Sequence, residues 1–152
     1  MVTTGFGDLG LGPIDQIAYV VADMDEALER YGAIYGPFRD GQTDTDDARY
    51  RGRTVSFSLR LAVNNAGPIE IELLQPVAGE TPLADHLKEH GEGLHHVRFR
   101  VEGMDEKLAA LESRGYQPIL YKRYGPAIAF AYIETPPNGA GASTVIELLE
   151  MP

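Results

Sequence analysis

The sequence predicts an α+β protein built from two βαβββ modules in tandem, whose curved mixed sheets enclose a cleft within one domain spanning residues 1–152. Two observations lead there. The run Gln16-Ile17-Ala18-Tyr19-Val20-Val21-Ala22-Asp23-Met24-Asp25-Glu26-Ala27-Leu28 returns as His96-Val97-Arg98-Phe99-Arg100-Val101-Glu102-Gly103-Met104-Asp105-Glu106-Lys107-Leu108. The halves also end alike, Ile71-Glu72-Leu73-Leu74 against Ile146-Glu147-Leu148-Leu149. A repeat of this length marks a duplicated structural unit. The first module is expected over residues 13–76, a linker with a short helix over 77–93, and the second module over 94–151.

Each element has a local reason. Asp15 to Val21 is rich in β-branched and aromatic residues and follows Pro13, which reads as a strand. Asp23 stands at a helix N-cap with Glu26 three residues on, as in a capping box. Ala27, Leu28, Tyr31 and Ile34 continue that helix until Gly36-Pro37. The polar stretch from Asp40 to Arg53 is expected to hold a short strand and a loop at Thr43-Asp44-Thr45-Asp46-Asp47. From Thr54 to Val63, Val55, Phe57, Leu59 and Leu61 alternate with Ser56, Ser58 and Arg60, the signature of a half-buried strand. Asn64-Asn65-Ala66-Gly67 turns the chain into a strand from Ile69 to Leu74. Thr81 caps a linker helix from Pro82 to His90, on which His86 and His90 are expected to face solvent. The second module repeats the order. It has a strand from His95 to Val101, a helix from Met104 to Arg114, and strands from Gln117 to Arg123, Ala127 to Glu134 and Thr144 to Leu149.

Composition narrows the function. The net charge of −10 repels phosphate backbones, which excludes nucleic acid as a natural partner. No apolar run approaches the roughly 18 residues of a membrane span. The opening Met1-Val2-Thr3-Thr4-Gly5-Phe6-Gly7-Asp8 has no signal-peptide pattern, so a cytoplasmic protein with a short lead-in is expected. With no cysteine, any metal must be held by His, carboxylate or amide oxygen, and water.

Alternation along the strands then turns a repeat into a site. Ile17, Tyr19 and Val21 share the face that the helix must cover, so Gln16 points the other way. The same reasoning turns His96, Arg98 and Arg100 away from Val97, Phe99 and Val101, and turns Glu72 and Glu147 away from their Ile and Leu neighbours. If the halves pair about a pseudo-twofold axis, Gln16, Glu72, His96 and Glu147 converge in one cleft. Two facing carboxylates repel strongly unless a proton or a cation intervenes. One imidazole, two carboxylates and one amide oxygen suit a divalent ion, with Zn, Co, Ni, Mn and Mg all compatible. Arg98 and Arg60 are expected to point into the same cleft and to hold a substrate carboxylate or phosphate. Tyr121 and Tyr124 are candidates for its mouth.

These residues resemble the vicinal oxygen chelate superfamily, which includes glyoxalase I, methylmalonyl-CoA epimerase, extradiol dioxygenases and bleomycin-resistance proteins. The resemblance rests on Asp15-Gln16-Ile17-Ala18-Tyr19-Val20-Val21, Ile71-Glu72-Leu73-Leu74-Gln75-Pro76, Gly93-Leu94-His95-His96-Val97 and Val145-Ile146-Glu147-Leu148. It implies the glyoxalase fold and a divalent metal held by Gln16, Glu72, His96 and Glu147. It also implies a homodimer, and a small-molecule substrate that chelates through neighbouring oxygens, anionic or an acyl-CoA. The implied activity is that of an isomerase, epimerase or lyase working by proton transfer next to a carbonyl through a metal-stabilised enolate. By likeness to glyoxalase I, Glu147 is the base and Glu72 its partner. The surroundings of His96 and Gln75 look most like methylmalonyl-CoA epimerase. That enzyme has His where this chain has Gln16, and a second glutamate base where this chain has Ser56, so Ser56 is placed at the substrate. Glu92 and Val20 stand where glyoxalase I has arginines, and Gln16 breaks the dioxygenase ligand triad. The alternative from another class is a non-catalytic binding or resistance protein of the same fold, a branch that generally lacks the four ligands.

Overall fold

Each half folds as the repeat predicts, strand, helix and three strands, in a computed structural model that describes residues 7–152. Of the lead-in read at residues 1–8, the first six lie outside the described residues. The first module comprises β1 (Ile14–Val20), α1 (Met24–Tyr35), β2 (Arg39–Tyr50), β3 (Arg53–Asn64) and β4 (Glu70–Gly79). Helix α2 (Pro82–His90) leads into β5 (Gly93–Arg100), α3 (Met104–Glu112), β6 (Gln117–Tyr124), β7 (Ile128–Glu134) and β8 (Val145–Glu150). None of these helices is long and apolar enough to cross a membrane.

The strands close into a barrel in the order β1-β4-β3-β2-β6-β7-β8-β5. Within each module the first and last strands are parallel, β1 with β4 and β5 with β8, and the rest antiparallel. The modules meet along two seams. One is the antiparallel pair β1–β5, and the other is a short β2–β6 contact at Arg49–Tyr121 and Tyr50–Leu120. The second seam closes the barrel.

The helices cover the outside. Leu73 and Ala62 pack outward under Met24 and Ala27 of α1. Ile146 and Leu148 do the same under Met104 and Leu111 of α3. Inside, Ala18, Val20, Phe57, Leu59, Leu74, Leu120 and Tyr132 form the interior cluster, closed at one end by Leu83 of α2. The caps fall where the sequence places them. Asp23 accepts from the Glu26 amide, and Thr81 from the Leu83 amide. Gln75 adds a second cap to α1 by accepting from the Met24 amide at 2.8 Å.

Two expectations need correction here. The stretch from Asp40 to Arg53 is not a short strand and a loop. Residues Arg39–Tyr50 form one continuous strand, broken in register between Thr45 and Ala48, where Asp47 adopts φ +53°. That bulge moves the buried positions from Thr45 to Ala48 and Tyr50, so no single alternation runs through the segment. Strand β4 also extends past Leu74 to Gly79, with Pro76 seated beside a register shift where its missing N–H breaks no regular ladder.

Gly79 lets β4 pass close to β3. Its φ is +84°, and a Cβ there would lie 2.1 Å from the Ser56 carbonyl oxygen and 2.8 Å from Phe57 Cα. Both neighbours are backbone and cannot swing aside. Gly32, inside α1, has open space where a Cβ would go. Gly79→Ala is therefore expected to destabilise by more than the roughly 1–2 kcal/mol of a left-handed residue alone. Gly32→Ala should instead stabilise by about 0.5–1 kcal/mol. Urea unfolding midpoints check both; equal midpoints for the two variants would contradict the close approach at Gly79.

Candidate active site

Strand register lays the polar residues out in two neighbouring rows across the barrel floor. In one row Glu70, Gln16, Arg98, Glu147 and Tyr132 are successive partners across β4, β1, β5, β8 and β7. In the next row Ala18 lies between Glu72 and His96. Only a methyl group separates those two longer side chains.

Three of the four expected ligands are in contact. His96 Nε2 lies 3.0 Å from Glu147 Oε2 and 3.3 Å from Gln16 Oε1. Gln16 Nε2 donates to Glu70 Oε1 at 2.7 Å, which turns the amide oxygen toward His96. Glu72 lines the same cleft as Glu147 and Arg98. It stands off from the others, since among the described residues no three His, Asp or Glu side chains are grouped tightly enough to hold an ion. The set is thus a three-point contact facing a fourth donor.

The electrostatics of this floor are severe. Burial pushes the Glu147 carboxyl up to about 8 against the pull of Arg98. Glu72 is also pushed up to about 8, by desolvation first and by the neighbouring Glu147 second. Glu72 is half-exposed because it opens onto the cleft, so Glu147 carries the deeper desolvation. His96 is driven down to about 3 by burial and by Arg98, and is neutral at any ordinary pH. Its Nδ1 faces His95 Nδ1 at 2.9 Å, and one of the two rings must donate. If His96 donates there, its Nε2 lone pair faces two oxygens and needs a proton or a cation between them. That is the tautomer a metal ligand uses.

These facts supply the test of whether a divalent ion suits the residues. An imidazole lone pair, an amide oxygen and a carboxylate oxygen meet at one point, with a second buried carboxylate on the cleft wall. Two buried carboxyls that resist ionisation are what a cation would relieve. In donor chemistry the set fits.

Other candidates fare differently. Arg98 does reach the cleft, but its guanidinium is taken up by Asp15 through bonds of 2.9 and 3.2 Å and lies 3.7 Å from Glu70. Arg60 does not face the cleft. It lies on the outer side of β3, bound to Asp40 at 2.6 Å and to Asp25 at 2.9 Å. Ser56 is likewise outside and exposed, accepting from the Asp47 amide at 3.3 Å. The β3 side chains that do line the cleft are Phe57, Leu59 and Leu61. The apolar face of β3 is thus the cleft wall. Tyr124 lines the cleft as expected, while Tyr121 packs on the α3 side.

Three participants escaped the sequence reading. Glu70 shares alternation with Glu72 and could have been found by that period. Tyr132 is the cross-strand partner of Glu147, with its ring 4.7 Å from that of His96, and no spacing in the sequence announces that pairing. His86 is half-buried rather than exposed and meets the His95 ring edge-on at 5.0 Å, while His90 is exposed.

Comparison with known proteins agrees with the fold. A profile of the Glyoxalase/Bleomycin resistance protein/Dioxygenase superfamily matches residues 15–132. The chain belongs to this superfamily. It is 33% identical over 106 residues to an uncharacterized protein, YqjC, of Bacillus subtilis, covering 70% of this chain and 69% of that one. It is 23% identical over 106 residues to the mitochondrial methylmalonyl-CoA epimerase of Dictyostelium discoideum, covering 69% of this chain and 58% of that protein. The crystal structure of methylmalonyl-CoA epimerase from Mycobacterium tuberculosis shares the fold, with a TM-score of 0.64 at 24% identity over 100% of this chain and 93% of that one.

The raised carboxyls make stability depend on pH. From about 4.5 to about 8 the folded chain keeps protons on Glu72 and Glu147 that the unfolded chain releases, so stability falls as pH rises. His95 and His96, both held neutral in the fold, act oppositely but only below their ordinary value of 6.5. Between about pH 6.5 and 8 the carboxyls act alone. Metal-free protein is expected to lose stability across that window, and a Glu72→Gln, Glu147→Gln double variant to lose the slope. A wild-type urea midpoint that stays level from pH 6.5 to 8 would contradict the burial assigned to these two groups.

Proposed function

We propose that this chain is a metal-dependent enzyme that moves a proton at the carbon next to a substrate carbonyl, an isomerase, epimerase or lyase in type. The observation that carries it is the pair of buried carboxyls, Glu72 and Glu147, set with His96 and Gln16 at one end of an apolar cavity. Likeness to the mitochondrial methylmalonyl-CoA epimerase of Dictyostelium discoideum is in keeping with that reaction class.

Gln16, His96, Glu147 and Glu72 would hold the ion. Bound there, it would act as a Lewis acid on a substrate oxygen and lower the cost of negative charge developing on it. Glu147 takes the proton from carbon: the C–H bond breaks, an O–H bond forms on the carboxylate, and the electron pair moves toward the carbonyl oxygen. A carboxyl whose proton affinity is raised by burial is a stronger base than an exposed one and suits this step near neutral pH. Return of the proton from Glu147 to the adjacent carbon completes an isomerisation. Return from Glu72 on the opposite face completes an epimerisation. No group on β3 can serve as that second base, because Phe57, Leu59 and Leu61 occupy the wall. Tyr132, held fully protonated beside both carboxyls, offers a neutral hydroxyl to the same space.

One observation favours a second reading. The apolar cavity walls also suit a protein that only sequesters a small molecule. Deuterium exchange separates the two. Protein stripped of metal and reloaded with Co or Zn should catalyse incorporation of deuterium from solvent next to the carbonyl in a panel of 2-oxo compounds and thioesters. Glu147→Gln should lower that exchange by about 100-fold or more, with fold and metal content retained. Full exchange in Glu147→Gln sinks Glu147 as base, and binding without any exchange in the wild type leaves the sequestering reading.

A further inference from the structure

The cavity beside the four polar residues has a volume of about 600 Å³, enough for a medium-sized organic molecule. Its wall is built from Phe57, Leu59, Leu61, Leu74, Leu120 and Phe130. Tyr124, Ile128 and Met151 also line it and are the ones among the lining residues that stay exposed as large apolar side chains, so they mark its mouth. Polarity is confined to the floor, to Thr43 and Thr45 on β2, and to the tyrosine hydroxyls.

Charge on that floor decides what can enter. Arg98 is the cation that lines the cavity, and its positive charge is matched by Asp15 and approached by Glu70. With Glu72 and Glu147 ionised around a divalent ion, those two, Asp15 and Glu70 make four carboxylates against two guanidiniums, Arg98 and the Arg100 that also holds Asp15 at 2.9 Å, and two metal charges. No surplus positive charge remains for a substrate carboxylate or phosphate. Outside the cavity, Lys122 lies 5.2 Å from the Tyr124 ring and donates to the Asp46 carbonyl. One partly engaged ammonium is a poor match for the several phosphate charges of a coenzyme A thioester, and the net charge of −10 adds a repulsive field.

We propose, resting on the reading of this cleft as a metal site, that the substrate is a carbonyl compound with an uncharged, apolar body, aliphatic or aromatic. Its two neighbouring oxygens face Glu147 and Glu72, the carboxyls that line the cavity, and its hydrocarbon part lies against Phe57, Leu59 and Leu61. Neither a dicarboxylate nor an acyl-CoA matches these walls. The apolar wall then sets specificity, because each methylene buried there strengthens binding while each anionic group weakens it.

The test uses hydroxamates, which present two neighbouring oxygens on a constant head group. Co-loaded protein is titrated calorimetrically, and by the visible absorbance of the metal, with acetohydroxamate, octanohydroxamate, benzohydroxamate, succinic monohydroxamate and propionyl-CoA. Octanohydroxamate is expected to bind at least about 30-fold more tightly than acetohydroxamate, a conservative return on six added methylenes. Benzohydroxamate should follow it, and succinic monohydroxamate should bind no better than acetohydroxamate. Propionyl-CoA should bind more weakly than octanohydroxamate. Leu61→Ser, on the half-exposed part of the wall, should cut the advantage of octanohydroxamate over acetohydroxamate several-fold. Equal affinities for the two alkyl chains, or tighter binding of succinic monohydroxamate or propionyl-CoA, would overturn the apolar-substrate inference and leave the metal cleft standing. If no hydroxamate alters the metal absorbance, the metal reading itself falls and takes this inference with it.

Discussion

Two carboxyl groups that resist ionisation inside a closed barrel, Glu147 buried and Glu72 half-buried on the cleft wall, are the constraint around which the rest of the structure is arranged. A buried carboxylate without compensation is among the most expensive groups a fold can carry. Here Glu147 and Glu72 answer that cost by holding protons to about pH 8. The neighbours are organised to the same end. His95 and His96 stay neutral, Glu70 orients Gln16 without touching His96, and Asp15 holds Arg98 in place. Each of these contacts fixes a donor or an acceptor at a set angle to one point. Removing any one would leave a buried polar group without its partner.

Duplication explains how so demanding an arrangement arises from short sequence signals. Each module places one residue of its first strand and one of its last strand on the inner face of the sheet. The β1–β5 seam then brings the two pairs together, with Ala18 beside His96 and Gln16 beside Arg98. The modules are not equivalent, however. Gln16 replaces in one what His96 supplies in the other, and Arg98 has its counterpart in Ala18, which contributes only a methyl group. That asymmetry leaves only the Ala18 methyl between Glu72 and His96 and puts Arg98, the one buried cation among the described residues, on the side of Glu147.

The cavity combines a polar floor with apolar walls, and the combination has a physical logic for proton transfer at carbon. Low polarity around a base raises its proton affinity and strengthens its interaction with any developing charge. In the proposed reaction the same walls would exclude water that could otherwise protonate a carbanion at random. A cleft of this kind treats anionic and apolar substrates oppositely. On β3 the cleft wall is formed by Phe57, Leu59 and Leu61, which offer no acid or base.

The sequence alone determined the architecture and the four residues at the centre. Apolar alternation on β1, β4, β5 and β8 reports which face a helix covers, and the polar residue on the other face follows directly. Gln16, Glu72, His96 and Glu147 were legible for that reason. Arg60 was misplaced because on β3 the apolar face lines the cleft, and Ser56, placed at the substrate by resemblance to methylmalonyl-CoA epimerase, lies on the outer face for the same reason. Alternation tells two faces apart without saying which is which. On β2 it failed altogether, since the bulge at Asp46 and Asp47 shifts the period within one strand. Tertiary structure alone decided the contacts between strands distant in sequence: Tyr132 against Glu147, Glu70 against Gln16, and Asp15 against Arg98. Those pairings are set by register across the barrel, and register depends on how all eight strands close together, which no single segment encodes.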